Sequence, residues 1–215
     1  MKKTGLVIII GLAFLLTASP VLAQGSAGER EYNFVIKTNP LAALGGPFWA
    51  LIIPVTGEYK VLFEAAVAPK ASIQLGASYI GPSILLNLDE LTSGDEEISG
   101  LKTSGFRGQG MFKYFLSRDL SAPEGFYLGP HFSFATATIK SKDNPENYIK
   151  AQKININGVI GYQLITSGGF ALDIFTGVGY VSRNWDITGS DFDTDVFKNK
   201  NTVTIPFGVS FGYAF

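Results

Sequence analysis

The chain has 215 residues, with 17 lysines and arginines against 18 aspartates and glutamates, a single histidine and no cysteine. Its formal net charge of −1 excludes a global basic surface for nucleic acid. Without cysteine, the chain can form no disulfide framework and has no cysteine to carry an N-terminal lipid anchor.

Residues 1–23 have the three parts of a secretory signal peptide. Lys2 and Lys3 form the charged start, Leu6 to Leu16 the apolar run, and Val21 to Ala23 the small-residue cleavage site. The apolar run is too short for a membrane-spanning helix, which needs about 20 residues. We therefore predict cleavage after Ala23, a mobile lead over residues 24–31 and a single barrel domain over residues 32–215.

Seven segments after residue 31 alternate apolar and polar residues with a period of two, which is typical of strands. Short links and longer acidic loops alternate between them, as in an up-and-down barrel. The stretch Ala42–Pro54 is too apolar for an ordinary loop, and it could extend the first hairpin or lie at lipid headgroups. The predicted strands are Tyr32–Leu41, Val55–Val67, Ala71–Ile80, Ser104–Leu116, Phe126–Ile139, Gln152–Leu164 and Phe170–Arg183.

The last segment, Asn201–Phe215, has one apolar face and one face of small or hydroxylic residues without any charge. A soluble sandwich strand would show charge on its second face. The apolar face is also long enough for a tilted strand to cross a hydrocarbon layer, which takes about 9–11 residues. The apolar residues are Val203, Ile205, Phe207, Val209, Phe211, Tyr213 and Phe215, and the small ones are Thr202, Thr204, Pro206, Gly208, Ser210, Gly212 and Ala214.

Eight such segments predict an all-β fold, a closed antiparallel transmembrane β-barrel of about eight strands with meander topology. An even strand number places both termini on one side, which we expect to be periplasmic. Aromatic residues then fall at two rims, where amphipathic rings favour the membrane interface. One rim collects Tyr32, Tyr114, Phe126, Tyr162, Phe170 and Tyr213; the other collects Tyr59, Tyr79 and Tyr180, with Trp185 just beyond it.

The end of the chain, with Phe211, Tyr213 and terminal Phe215 at alternate positions, resembles the C-terminal signature of bacterial outer-membrane barrels. The resemblance implies that these residues are an assembly signal, read by the barrel assembly machinery. It also implies a location among outer-membrane lipids.

The whole chain resembles the small barrels of the OmpA-barrel and OmpX type. The stretches Lys37–Leu41 and Gly57–Tyr59 are also similar to an uncharacterised family of such barrels. This resemblance implies a fold and a location but no reaction, because one fold hosts many functions.

The inward-facing positions of the predicted strands include many charged residues. These residues either line an ion pathway or pair with one another as salt bridges. Eight strands leave an interior that side chains just fill, and unpaired charges there are costly. We therefore predict a plugged interior. The predicted network comprises Lys37, Glu58, Lys60, Glu64, Arg107, Lys113, Lys153, Asp173 and Arg183.

His131 and Ser133 share one strand face, as a base and a nucleophile should. The pair resembles the H-x-S motif of the outer-membrane lipid A deacylases, which implies a catalytic role for both residues. Phe134 and Ala135 follow, where that family has Asn-Ala, and parity turns the pair inward, away from lipid. We favour a hydrogen-bonded interior histidine over a catalytic one.

The run Asp191–Asp195 could hold a divalent cation, but Val196 and Thr202 stand where a calcium loop needs glycine and glutamate. Together with Asp95–Glu97, it is better interpreted as a solvated acidic rim, with weak cation bridging to lipopolysaccharide phosphates as an alternative. We predict no metal site and no cofactor.

These observations favour a non-enzymatic outer-membrane protein with a structural or surface-interaction role through its outer loops. The first alternative is a lipid-modifying enzyme, and the second is a narrow pore or small-ligand transporter.

Overall fold

The computed structural model describes residues 32–45, 56–83, 101–141, 144, 146–189 and 200–215. The expected signal peptide and lead, most of Ala42–Pro54 and both acidic runs lie outside these ranges. No helix within them is long and apolar enough to cross a bilayer. The elements are β1 (Phe34–Thr38), α1 (Ala42–Gly45), β2 (Thr56–Ala68), β3 (Ala71–Pro82), β4 (Leu101–Phe115), β5 (Gly125–Ser141), β6 (Tyr148–Ile165), β7 (Phe170–Thr188), β8 (Lys200–Thr204) and β9 (Phe207–Ala214).

The strands form one closed antiparallel barrel, as the alternation predicts. Each strand from β1 to β7 pairs with the next along the chain, and β9 pairs with both β7 and β1. β8 and β9 are two halves of the eighth strand, because both pair with β7 in one continuous register. The predicted single strand Asn201–Phe215 is therefore interrupted at Ile205 and Pro206. Pro206 has no backbone N–H to donate to a ladder, which explains the break.

The register fixes the width of the barrel. A path of paired residues that starts at Ala214 and passes once around the wall ends at Thr204, ten residues earlier. At about 3.3 Å per residue and about 4.8 Å between strands, eight strands with this offset tilt by about 40° around a radius of about 8 Å. An interior of that size is filled by side chains or holds one small ligand. The path runs through Val35, Glu64, Gln74, Met111, His131, Asn157 and Gly179.

The two faces of the wall have opposite polarity, in agreement with the predicted parities. Ile36 is 47% exposed on the outside, whereas its neighbour Lys37 is 1% exposed on the inside. Ile156 and Asn155 differ in the same way, at 60% and 9%. Large apolar side chains therefore face outward while ionisable ones are buried, which is the inverse of a soluble protein.

Several predicted boundaries are wrong. β1 ends at Thr38 instead of Leu41, because Asn39 begins the turn into α1 and its Oδ1 accepts from the N–H of Ala42 at 3.3 Å. β5 continues to Ser141 and β6 begins at Tyr148, so half of the predicted loop 140–151 belongs to strands.

β7 also continues beyond its predicted end at Arg183, up to Thr188. Trp185 therefore lies within the strand, opposite Ala151, and is partly buried. The polar residues that suggested loops pair along these extensions, since backbone hydrogen bonds need no apolar side chain.

Among the described residues, the short β1 leaves a seam in the wall. β9 pairs with β1 from Phe211 to Ala214, and before Phe211 no described residue pairs with the eighth strand on that side. Val203, Ile205 and Phe207 are accordingly 70%, 77% and 70% exposed. The upper half of β2 flanks the other side of this seam, where Thr38 Oγ1 donates to the carbonyl of Lys60 at 2.7 Å.

The barrel has a closed end, here called the turn end, where β1 begins and β9 finishes. Lys70 Nζ donates there to the carbonyls of Ser117, Arg118 and Leu120, at 2.5, 3.1 and 2.6 Å. These bonds hold the link after β4 across the opening. Ala122 in this link packs in an apolar cluster with Phe115 and Tyr127. The opposite end, from which the longer connections leave, is called the loop end.

Candidate functional site in the barrel interior

A compact polar cluster fills the interior above the turn end, and we call it the ion plug. Each of the strands β1 to β7 contributes one side chain to it, so that the cluster ties almost the whole wall together. The members, in strand order, are Lys37, Glu64, Ser72, Lys113, Tyr127, Gln163 and Asp173.

The two ammonium groups of the ion plug share the same three acceptors. Lys37 Nζ lies 2.6 Å from Glu64 Oε2, 2.7 Å from Asp173 Oδ2 and 2.7 Å from Gln163 Oε1. Lys113 Nζ lies 2.9, 2.7 and 2.7 Å from those same oxygens. Because an ammonium has three donors, both lysines are fully satisfied without water.

The remaining oxygens of the ion plug are also satisfied. Ser72 Oγ donates to Glu64 Oε1 at 2.5 Å, and Tyr127 OH donates to Asp173 Oδ1 at 2.6 Å. The Lys113 ammonium also lies 4.4 Å from the centre of the Tyr127 ring. Two cations therefore face two carboxylates in a closed, neutral network, and every charged side chain is at most 1% exposed. At this level, hydrogen-bonded side chains from seven strands meet across the barrel interior.

A second polar layer lies nearer the loop end, around Glu58. Its Oε1 accepts from Ser78 Oγ at 2.6 Å and lies 3.2 Å from Lys60 Nζ. Its Oε2 lies 3.1 Å from Arg107 Nη1. A single carboxylate is thus shared by two cations, in contrast to the balanced ion plug.

The predicted pair His131 and Ser133 belongs to this second layer, on the inner face, at 4% and 1% exposure. Ser133 Oγ is 3.0 Å from Arg107 Nη2 and 3.2 Å from Asn155 Nδ2. His131 Nδ1 instead contacts Asn157 Nδ2 at 3.0 Å. The hydroxyl is therefore held by two donors rather than by a base, which is the opposite of what an activated nucleophile requires.

A cavity of about 470 Å³ lies beside this layer, and we call it the loop-end cavity. On the eighth strand, residues 204–210 line it, and the inward ones among them, Thr204, Pro206, Gly208 and Ser210, are small. The space exists because this strand places no long side chain inside the barrel. The small parity of the last strand is thus the signal in the sequence that could have predicted a cavity.

Several buried polar atoms at the loop-end cavity have no hydrogen-bond partner among the described residues. They are Arg107 Nε, His131 Nε2, Asn155 Oδ1 and Asn157 Oδ1, and all four residues line the cavity. Buried polar atoms are nearly always paired in folded proteins, so a cluster of exceptions marks a place for water, an ion or a ligand.

The structure divides the predicted charged network between two layers. Lys37, Glu64, Lys113 and Asp173 meet in the ion plug, whereas Glu58, Lys60, Arg107, Lys153 and Arg183 line the loop-end cavity. The sequence pattern did not single out Ser72 or Tyr127 as site residues. Their inward parity was visible, but parity alone does not show which neutral side chains reach the charges.

The predicted assembly residues lie along the closure of the barrel. Phe211 pairs with Thr38 of β1 and with Leu172 of β7. The backbone of Phe215 accepts from Phe34 N at 2.9 Å and donates to Phe34 O at 2.9 Å. The terminal residue therefore takes part in joining the last strand to the first.

Within the described residues, no group of three or more metal-binding side chains is placed to hold an ion. No protein-family profile matches the chain, and no curated protein or solved structure is found to be similar to it.

Proposed function

We propose that this chain is an integral barrel of a bacterial outer membrane, exported through a cleaved signal peptide, with both termini in the periplasm. The observation that carries the proposal is the inverted polarity of the wall. Residues such as Ile156 and Val178 are 60% and 61% exposed on the outside, whereas Lys37, Glu64, Lys113 and Asp173 are buried inside. In water such an outer surface would aggregate, and in a bilayer it is matched to its surroundings.

The positions of the outward aromatic residues also support membrane placement. Tyr114, Phe126, Tyr162 and Phe170 are exposed near the turn end. Tyr59, Tyr79 and Tyr180 are exposed toward the loop end, and the first two of these stack with ring centres 6.3 Å apart. Rings of this kind favour the two interfaces of a bilayer, and the apolar band between them suits its hydrocarbon.

The proposed role is structural or interactive, not enzymatic. Ser133 accepts from two donors, Arg107 and Asn155, rather than from a base, and both it and His131 are buried on the inner face of the wall. Incubation of the purified protein with outer-membrane lipids should therefore release no acyl chains. Steady release that is lost in Ser133→Ala would establish the lipid-modifying alternative instead.

The ion plug is the observation that bears on the pore alternative. Ion passage would require two buried lysines and two buried carboxylates to separate, and each ion left unpaired in such surroundings is costly. The interior is therefore proposed to pass no ions.

Two measurements test this function. Expressed in a Gram-negative host, the chain should fractionate with the outer membrane and resist extraction by alkaline carbonate. In planar bilayers, the purified barrel should give no steady current. Recovery as a soluble periplasmic protein would contradict the membrane proposal, and steady ion-selective currents would replace the plugged barrel with a pore.

A further inference from the structure

We propose that the loop-end cavity is a binding site for a phosphomonoester group. This inference concerns the interior of the folded barrel, and it goes beyond the structural role proposed above. It depends on three features of the cavity, which are its charge, its unpartnered donors and its size.

The first feature is an excess of positive charge. The cationic side chains of Lys60, Arg107, Lys153 and Arg183 line the cavity, against the single carboxylate of Glu58 among the described lining residues. Glu58 contacts Lys60 and Arg107 and offsets one of their two charges. Lys153 has a partner of its own and is not counted, so Arg183 and the remaining charge of that pair leave an excess of two among the described residues. The ion plug below is neutral, which confines the imbalance to the cavity.

The second feature is a set of donors without acceptors. Arg107 uses Nη1 for Glu58 and Nη2 for Ser133, and its Nε is buried without a partner. Asn157 Nδ2 donates to His131 Nδ1, so the proton of the neutral imidazole is on Nε2. This N–H group also has no partner among the described residues. If the Asn157 amide is turned over, its own N–H group becomes the unpartnered donor. Either assignment leaves at least two buried donors at the cavity.

The third feature is size. At about 470 Å³ the cavity is within the range of small-molecule sites, about 300–1,000 Å³. The small inward face of the eighth strand forms one wall, and the cationic layer forms the other. A phosphate group can therefore contact the cations while the rest of its molecule lies against Gly208 and Ser210.

A phosphomonoester fits this combination better than a carboxylate does. It carries close to two negative charges and three acceptor oxygens, which match an excess of two positive charges and at least two unpartnered donors. Arginine is particularly suited to phosphate, because its planar fork makes paired hydrogen bonds. The unpartnered amide oxygens of Asn155 and Asn157 can also accept from hydroxyl groups next to the phosphate.

Such a group could belong to a free metabolite or to a lipid. Residues of β2 and of the eighth strand both line the cavity, and the seam among the described residues lies between these two strands. A soluble ester would enter from the loop end, and a lipid headgroup would enter through the wall. Both sources share the same phosphate chemistry, so the experiment separates them.

The test uses the full barrel folded in a zwitterionic detergent. Glycerol 3-phosphate is titrated by calorimetry, with glycerol and chloride as controls. In parallel, the barrel is placed in phosphatidylcholine nanodiscs that contain some phosphatidic acid, and binding is followed by the ³¹P signal of the monoester.

Two pairs of matched variants locate the binding. Lys153→Gln and Arg183→Gln remove charges that line the cavity. Lys150→Gln and Arg118→Gln remove the same charges from exposed positions elsewhere. Each variant is first tested for its folded, heat-modifiable mobility in gels, so that loss of binding is not loss of fold.

We expect each cavity variant to weaken binding about tenfold or more, the usual effect of losing a hydrogen bond to a charged group, and the exposed variants to leave it unchanged. Binding of glycerol 3-phosphate would assign a soluble ester, and binding of phosphatidic acid alone a lipid headgroup. Binding of neither, or binding that Lys153→Gln and Arg183→Gln leave unchanged, overturns the proposal. Either result stands whether or not the protein resides in an outer membrane, because the measurement is made on the isolated barrel.

Discussion

At the scale of single residues, the ion plug explains how four charges can be buried in so narrow a space. Burying an isolated ion costs several kcal/mol. Here each ammonium donates to three oxygens, and each carboxylate also accepts a hydrogen bond from a hydroxyl group. The charges contribute to stability only as a complete set, because removal of one leaves its partners without compensation.

Glu64→Gln should therefore destabilise the barrel. The substitution leaves Lys37 and Lys113 with the one carboxylate of Asp173, and breaking a fully buried pair costs about 3–5 kcal/mol. Urea unfolding in lipid vesicles measures the loss. Glu146→Gln, the same change at an exposed position, serves as the control and should alter the free energy of unfolding little.

The double variant Glu64→Gln with Lys113→Met tests the reason for this loss. It restores one cation to one carboxylate, so it should be more stable than Glu64→Gln alone. If the two losses simply add, the charges do not act as a set and this account of the ion plug is wrong.

At the scale of elements, close contact between β6 and β7 depends on glycine. A Cβ on Gly177 would meet the carbonyl oxygen of Gly158 and lie 2.9 Å from the Cα of Val159. Neither backbone atom can move without disturbing the ladder. A small residue is therefore required inside the wall at this position.

Gly177→Ala should thus lower the free energy of unfolding by about 1–3 kcal/mol, as overpacking does. Gly158→Ala is the matched control on the paired strand, because its Cβ would have no neighbour closer than 4.0 Å. It should be neutral or slightly stabilising. Equal losses in the two variants would show that the contact at Gly177 is unimportant.

The end of β9 allows the predicted assembly signal to be tested separately from stability. Phe215 closes the barrel through its backbone, so deleting it would also remove hydrogen bonds to Phe34. Phe215→Ala keeps that backbone and removes only a ring, which lies 6.0 Å from the ring of Phe34. Phe170→Ala removes a similarly exposed ring at the same end, 6.5 Å from Phe211.

We expect Phe215→Ala to lower the amount of folded barrel in the outer membrane of intact cells, and Phe170→Ala to leave it normal. Both purified variants should unfold at similar urea concentrations, because they lose similar contacts. Normal insertion of Phe215→Ala would remove Phe215 from the assembly signal.

At the scale of the whole molecule, the strand number, the closure and the inward set of charges could be predicted from alternation alone. A period of two divides the residues of each strand between two faces, and the polarity of each face shows which one is inward. The division of the charges between the ion plug and the loop-end cavity could not be predicted. It depends on the register, which brings Lys37 and Asp173 together from opposite ends of the sequence, and on the length of β1, which Asn39 and Pro40 cut short.

The central claim is that the outer face of this barrel contacts lipid, and the chain offers a direct test because it has no cysteine of its own. Single cysteines at Ile156 and Phe211 project outward, whereas those at Asn155 and Ser210 project inward. Spin labels at these four positions are compared in vesicles by their collisions with oxygen, which concentrates in lipid, and with a water-soluble nickel complex. Labels at Ile156 and Phe211 should collide mainly with oxygen, and labels at Asn155 and Ser210 should show no such lipid signature. Similar lipid exposure at both parities, or water exposure at Ile156 and Phe211, would contradict the account.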